Sequence, residues 1–309
     1  MFIRKSTKED IPSIVDLLTK TLGESSTPKS INYWIWKHID NPFGESSVLV
    51  AETNEQLTGV RAMMQWKWQK GHELFNALRA VDTATHPDHQ GKGVFSVLTQ
   101  KSVVLAKEEG VNFIFNTPNR KSLPGYLKLG WVSAGKLAVG MSFHVSFFTK
   151  SKNLKKESVD FSLLDNLCRR WNILQQKSDQ LFIPKSAAYL SWRYVENPVI
   201  SYFVFSDETL FLAMYTRKIK NITELRIAEL ICCSSTPQDY RKVKSIVRNF
   251  AADKKANLIT FATQHKPWMP GFKISLPIGP ILVTKKINID LPSFAHLNMV
   301  YQLGDMELF

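Results

Sequence analysis

The sequence predicts a mixed α/β (α+β) chain made of two related units in tandem. Three observations carry this. Strand-like runs stand both before and after a central helix in the first half. A glycine-bearing turn, His86-Pro87-Asp88-His89-Gln90-Gly91-Lys92-Gly93, joins strand to helix there. A segment of the first half also recurs in the second.

Taken in order, Ile3-Arg4-Lys5 reads as a short strand, and Ser6 or Thr7 can cap the helix that follows. Glu9 and Asp10 fall in its first turn, where carboxylates complement the helix dipole. Ile11, Ile14, Val15, Leu17 and Leu18 then recur at helical spacing. The runs Val48–Ala51, Gly59–Trp68 and Phe75–Thr85 read as strands, and Val94–Lys107 as a helix closed by Gly110. Val111–Asn116 predicts a strand, Leu123–Leu129 a short helix, and Trp131–Phe148 a further strand pair. Residues 149–158 are polar and unpatterned, which predicts a linker between a first domain at 1–148 and a second at 159–309.

The repeat aligns Tyr33-Trp34-Ile35-Trp36-Lys37-His38-Ile39-Asp40-Asn41-Pro42 without gaps on Tyr189-Leu190-Ser191-Trp192-Arg193-Tyr194-Val195-Glu196-Asn197-Pro198. Tyr and Trp at i and i+3 share a helix face, so a packing role is expected, and Asn-Pro ends the helix. Apolar runs follow both copies, at Val48–Ala51 and Tyr202–Phe205. The second copy continues to a helix at Pro237–Lys254 and a strand at Leu258–Ala262. Matched order on both sides predicts a tandem duplication.

The chain has 309 residues, 44% of them hydrophobic and 22% charged, which is ordinary globular material. No run approaches the about 20 apolar residues of a membrane span, and Met1-Phe2-Ile3-Arg4-Lys5 is unlike a secretory signal, so a cytoplasmic location is expected. Cys168, Cys232 and Cys233 suit neither a disulfide framework nor a zinc site and read as reduced thiols; no metal is expected. The net charge of +13 reads first as a solvated surface, and it raises the odds of a polyanionic partner such as nucleic acid, an anionic membrane face, an acidic acyl carrier protein or a phosphorylated cofactor. It is spread along the chain without a nucleic-acid motif, which weighs against nucleic acid.

Gly91 and Gly93 precede a helix whose first-turn N–H groups are unpaired and carry partial positive charge, which makes an anion site. Glycine removes the Cβ that would block a phosphate, and Lys92 adds a cation beside it. A bare tight turn would use the same two glycines, so the longer string is what decides. Gln90-Gly91-Lys92-Gly93-Val94-Phe95 resembles the pyrophosphate loop of the GNAT superfamily of N-acyltransferases, Gln/Arg-x-x-Gly-x-Gly/Ala, with Phe95 in place of the final small residue. Asn119, the step of seven residues to Tyr126, and Gly130-Trp131 are similar to that family's later landmarks. The likeness covers residues 1–148; the element order of the second half is similar to tandem, Eis-like GNAT proteins.

The resemblance implies a fold of tandem GNAT-like domains, each a mixed, mostly antiparallel twisted sheet flanked by helices. It also implies acetyl-CoA or another acyl-CoA as cosubstrate, held by Thr83, Ala84, Thr85, Gln90, Gly91, Lys92, Gly93, Val94, Phe95 and Asn119. Backbone N–H groups near Thr83 and Thr85 would receive the carbonyl oxygen. Transfer to a small-molecule or peptide amine needs an acid for the departing thiolate and a path for the amine's proton. Tyr126 is the acid expected, with a buried, backbone-bonded tyrosine as the structural alternative. Asp82, a carboxylate in the apolar strand Ala80–Thr85, is either the base or the partner of a backbone N–H or Arg79. His86, His89 and, by likeness to the Eis group, the terminal carboxylate of Phe309 are further candidates. A non-catalytic acyl-CoA-binding module and a carrier-protein-dependent acyltransferase remain alternatives. The second half is expected to be degenerate, because Ser234-Ser235-Thr236-Pro237-Gln238-Asp239-Tyr240-Arg241 has no glycine and puts Asp239 where the pyrophosphate would lie.

Overall fold

A computed structural model describes residues 1–23, 28–143, 160–289 and 298–306. Its first half runs β1 (Phe2–Lys5), α1 (Ile11–Leu22), α2 (Ile31–His38), β2 (Ser47–Thr53), β3 (Gln56–Lys70) and β4 (Glu73–Thr85). It continues through α3 (Val94–Glu108), β5 (Phe113–Asn116), α4 (Leu123–Lys128), β6 (Val132–Lys136) and β7 (Val139–Phe143). The second half opens with α5 (Phe161–Gln176), α6 (Ala187–Tyr194), β8 (Phe203–Ser206), β9 (Leu210–Ile219) and β10 (Ile222–Cys232). It closes with α7 (Pro237–Asp253), β11 (Leu258–Ala262), β12 (Phe272–Leu276), β13 (Ile281–Lys286) and the short α8 (Leu303–Met306). The expected linker at 149–158 lies outside the described residues, and the three cysteines are free thiols.

The strands form two mixed, mostly antiparallel sheets, in the orders β1-β2-β3-β4-β5-β13-β6 and β12-β7-β11-β10-β9-β8. Two strands have changed places. β13, from late in the chain, enters the first sheet between β5 and β6, and β7 crosses to the second sheet between β12 and β11. The strand pair expected over Trp131–Phe148 is therefore corrected: β6 and β7 exist but belong to different sheets, and residues 144–148 are not described. Only two residues separate β6 from β7. Alternation of apolar residues reports that a segment is a strand and is silent about its neighbour.

The duplicated helix sits at the centre of this exchange. Ser30 and Ser186 cap α2 and α6 alike, each accepting from the N–H three residues on, at 3.1 Å. Trp36 Nε1 donates to the Trp192 carbonyl at 2.8 Å, and Trp192 Nε1 returns the bond to Trp36 at 2.7 Å. The two indoles stack at 4.8 Å between ring centroids. Reciprocal bonds of this kind mark a local two-fold relation between the halves. One apolar core spans both, from Ile14 and Leu17 through Trp66 and Phe115 to Tyr189 and Phe211.

The two faces of the first sheet serve different helices. Even positions of β3, namely Val60, Ala62 and Met64, share a core with Ile14, Leu17 and Leu18 of α1. Odd Met63 packs with Tyr126 of α4, while Leu49 and Ala51 of β2 meet Val94 and Leu98 of α3.

Candidate active site

The turn before α3 is built by its glycines. Gly91 and Gly93 have φ of +75° and +79°, a region in which L side chains are strained. Space is not the constraint, since a Cβ at either would meet nothing within 4 Å. Gly93 is the N-cap residue of α3 and no side chain caps the helix, so its first-turn N–H groups remain for an external acceptor. Gln90 Nε2 donates to Thr85 O at 3.2 Å and ties the turn to the end of β4. Lys92 is exposed at the rim. His86 accepts from Asp88 N through Nδ1, so this His-Pro pair acts as a cap.

Phe95, which stands where a small residue was expected, has a counterpart that admits it. A Cβ on Gly125 of α4 would come within 2.9 Å of Phe95 Cε1. Phe95 also meets Tyr126 edge-on, 5.5 Å between centroids. The bulk missing on α4 is thus supplied by α3.

Tyr126 is 1% exposed, with Trp131 4.8 Å away on another side. Its oxygen accepts from Arg61 Nη1 at 2.7 Å and not from backbone. Asn119 turns inward on its own loop: Oδ1 accepts from Lys121 N at 3.0 Å and Ser122 N at 2.9 Å, fixing the approach to α4.

Asp82 lies on the other face. The β3–β4 register shifts opposite it, between Arg61 and Ala62, so Asp82 is the extra residue of a bulge, with φ of +30°. Bulges re-aim side chains, and a non-glycine residue held there costs about 1–3 kcal/mol. The carboxylate is aimed at the end of α2, with Lys37 Nζ 2.6 Å and His38 Nε2 2.9 Å from Oδ2. Arg79, the partner that one sequence reading allowed for Asp82, donates to the carbonyls of Asp305 and Met306, 2.6 Å to the latter.

The charges follow from this geometry. Burial alone would raise the Asp82 carboxyl, but the Lys37 charge and the His38 hydrogen bond outweigh it and hold the group well below the usual carboxylate range. Burial lowers Lys37, opposed by Asp82, and burial likewise lowers His38, so the imidazole is neutral near pH 7. Nε2–H then donates to Asp82, and Nδ1 accepts from Ser46 Oγ at 2.9 Å. A carboxylate so firmly ionised is a weak proton acceptor. Val15, Leu18, Lys29, Tyr33 and Trp34 complete a small pocket around Lys37, His38 and Asp82.

A gap in the sheet connects the two faces. β4 pairs with β5 in parallel only from Ala77 to Arg79; beyond that β4 runs on to Thr85, while β5 stops at Asn116. Thr83, Ala84 and Thr85 pair with Arg61, Val60 and Gly59 on one side and leave the edge toward the gap free of any described strand. Tyr126 and the α3 turn lie on one face of this opening and Asp82 with α2 on the other.

The second half parts in the same way, after Arg226↔Thr260, with a bulge at Ala228. There the chain's own C-terminal segment bridges the edges. Gln302 donates to Leu230 O at 3.2 Å and sits 2.6 Å from His265 Nε2. Lys185 bonds Glu229 at 2.9 Å and Asp305 at 2.7 Å beneath it. At the start of α7, Asp239 Oδ2 accepts from Thr236 N at 3.0 Å and from Ser234 Oγ at 2.7 Å, so a carboxylate of the chain fills the helix N-terminus. Phe309 lies outside the described residues.

Among curated proteins, none matches this sequence. Residues 2–134 match the family described as acetyltransferase (GNAT) domain. Residues 2–134 carry the features of a GNAT acetyltransferase domain. The chain's fold is similar to that of several solved structures. A GCN5-related N-acetyltransferase from Kribbella flavida superposes with a TM-score of 0.67 at 11% identity, over 93% of this chain and 71% of that one. A probable N-acyltransferase from Enterococcus faecalis gives 0.64 at 11% identity, over 93% and 72%. Eis1 from Mycobacterium abscessus gives 0.59 at 10% identity, over 93% and 74%. No described helix of this acetyltransferase is long and apolar enough to cross a membrane. No group of three or more His, Cys, Asp or Glu among the described residues could hold a metal.

Lys37, His38 and Arg61 were not singled out in the sequence. For Lys37 the sequence holds a signal, since a cation recurs at the same place in both copies of the helix motif.

Proposed function

We propose that this acetyltransferase moves an acetyl or related acyl group from coenzyme A to a primary amine of a small molecule or peptide. The observation that carries the reading is the gap between β4 and β5, which has an uncapped helix N-terminus and a phenol on one face and a charged pocket on the other. Residues 1–148 would supply the donor site, with Gln90, Gly91, Lys92, Gly93, Val94 and Phe95 around the pyrophosphate and Asn119 shaping the loop. The edge at Thr83, Ala84 and Thr85 would bond the pantetheine and the acyl carbonyl. Tyr126 is the acid for the thiolate. Asp82, ionised and paired, is assigned to the wall of the amine pocket, where it keeps Lys37 and His38 in place. The amine's proton would then leave to water, and the unaltered pH–rate profile expected of Asp82→Asn checks that assignment. Residues 159–309 form the degenerate copy, its gap and helix N-terminus already occupied, so calorimetry should give one coenzyme A per chain.

Tyr126→Phe tests the chemistry. It should leave coenzyme A affinity nearly intact and lower acetyl-CoA turnover across a panel of amines about 10- to 1,000-fold. Equal turnover by the two proteins would remove Tyr126 from the mechanism.

A further inference from the structure

We infer that Tyr126 works through Arg61, a positioning residue whose guanidinium aims the phenol as a proton donor and holds the phenolate left after transfer. This rests on the reading of Tyr126 as the acid. Arg61 is 0% exposed, on the β3 position paired with Thr83 beside the gap. A guanidinium only donates, so the 2.7 Å bond from Nη1 makes the phenol oxygen the acceptor and leaves the phenol's own proton for another group. The Arg61 Cζ lies 5.1 Å from the Tyr126 ring centroid and 5.6 Å from that of Phe95, so two ring faces also hold the cation.

The rest of the guanidinium is unmatched. Nε and Nη2 are buried and have no hydrogen-bond partner among the described residues, and no described carboxylate pairs with Arg61. A buried cation without an anion is costly, and an apolar side chain would fill the same space more cheaply. The charge has a use once the reaction makes an anion beside it. The amine nitrogen bonds to the acyl carbon, the carbon–sulfur bond breaks with its electron pair going to sulfur, and the Tyr126 proton passes to that sulfur. Free thiol and a phenolate result. Arg61 stabilises the phenolate until water returns a proton, while the amine's surplus proton goes to solvent.

The test is a kinetic double-mutant cycle on the full chain, with acetyl-CoA as donor and thiol release followed using the amine panel and water as acceptors. Arg61→Gln should lower kcat about 10- to 100-fold with little change in KM for acetyl-CoA. In the Tyr126→Phe background the same substitution should cost less than about 2-fold, since no phenol remains to be served. Arg61→Lys, which keeps the charge, should recover part of the loss. Unchanged kcat in folded Arg61→Gln, or losses that multiply in the double variant, would overturn the inference while Tyr126 stands. Native turnover by Tyr126→Phe alone would remove the acid and the inference with it. If Arg61→Gln does not fold, Arg61→Lys carries the cycle, and a loss that persists undiminished without Tyr126 decides against the coupling. A native chain without turnover on any acceptor refutes both readings.

Discussion

Lys37→Met should cost about 3 kcal/mol of stability at pH 7, and the deficit should shrink in acid. Lys37 Nζ sits 2.6 Å from Asp82, with side chains 4% and 11% exposed. Stranding one partner of a buried pair costs about 3–5 kcal/mol, and the His38 hydrogen bond that survives on Asp82 places this case at the lower end. In the native chain Asp82 is held below its unfolded value of about 4. Its contribution is therefore fully present above pH 4 and lost only below it. Without Lys37, burial is no longer outweighed and the carboxyl rises above 4. The variant then gains stability as pH falls through that raised value, which narrows the gap; the loss that buried, neutral His38 brings to both proteins as the unfolded imidazole protonates below about 6.5 cancels in the difference. Urea unfolding at pH 7 and pH 5 measures the gap at each. Lys37→Met/Asp82→Leu should regain most of the loss, because an apolar pair of similar volume has no stranded charge. A loss under about 1 kcal/mol, a gap independent of pH, or a double variant as weak as the two single losses added would refute the account.

Gly93→Ala, at φ +79°, should cost folding about 1–2 kcal/mol, yet weaken coenzyme A more than about tenfold by calorimetry, because the Cβ enters the open face of the turn; unchanged affinity in a folded variant would make the turn merely structural. Lys185→Met strands Glu229 and Asp305 together and should cost about 3–5 kcal/mol in urea unfolding, and a loss under about 1 kcal/mol would show that the two carboxylates are neutralised otherwise. Residues 1–150 expressed alone lack β13 and should be insoluble or inactive, so a soluble, active fragment would show that the exchanged strand is dispensable.

The sequence made legible what depends on local rules. The strand–turn–helix at Thr85 to Val94 was readable because two glycines at positive φ leave few alternatives. The repeated helix motif was readable because the packing of Tyr33 and Trp36, and of Tyr189 and Trp192, uses the same residues at the same spacing. The strand exchange was not readable. β13 pairs with β5 across about 170 positions, and nothing in Ile281–Lys286 distinguishes that neighbour from β12. The partners of Asp82 were also hidden, since the bulge that turns it toward Lys37 comes from an unequal count of residues in β3 and β4.

The two halves show how one scaffold can be open in one copy and closed in the other. Both sheets part beyond a short parallel pairing, both carry a bulge there, and both set a buried lysine against carboxylate near it. In the second half the lysine answers two carboxylates, and one of them, Asp305, belongs to the segment that bridges the gap. Burial pushes Glu229 up to about 7, with Lys185 opposing, so the filled gap is a tightly coupled ionic core. That same segment reaches the first sheet, where Arg79 grips the carbonyls of Asp305 and Met306 at the point where β4 leaves β5. Closing the second gap therefore shapes the edge of the first. The second half is bound into the frame of the first sheet by β13, by the paired tryptophans and by this strap, so a change at any of the three reaches the edge where β4 leaves β5.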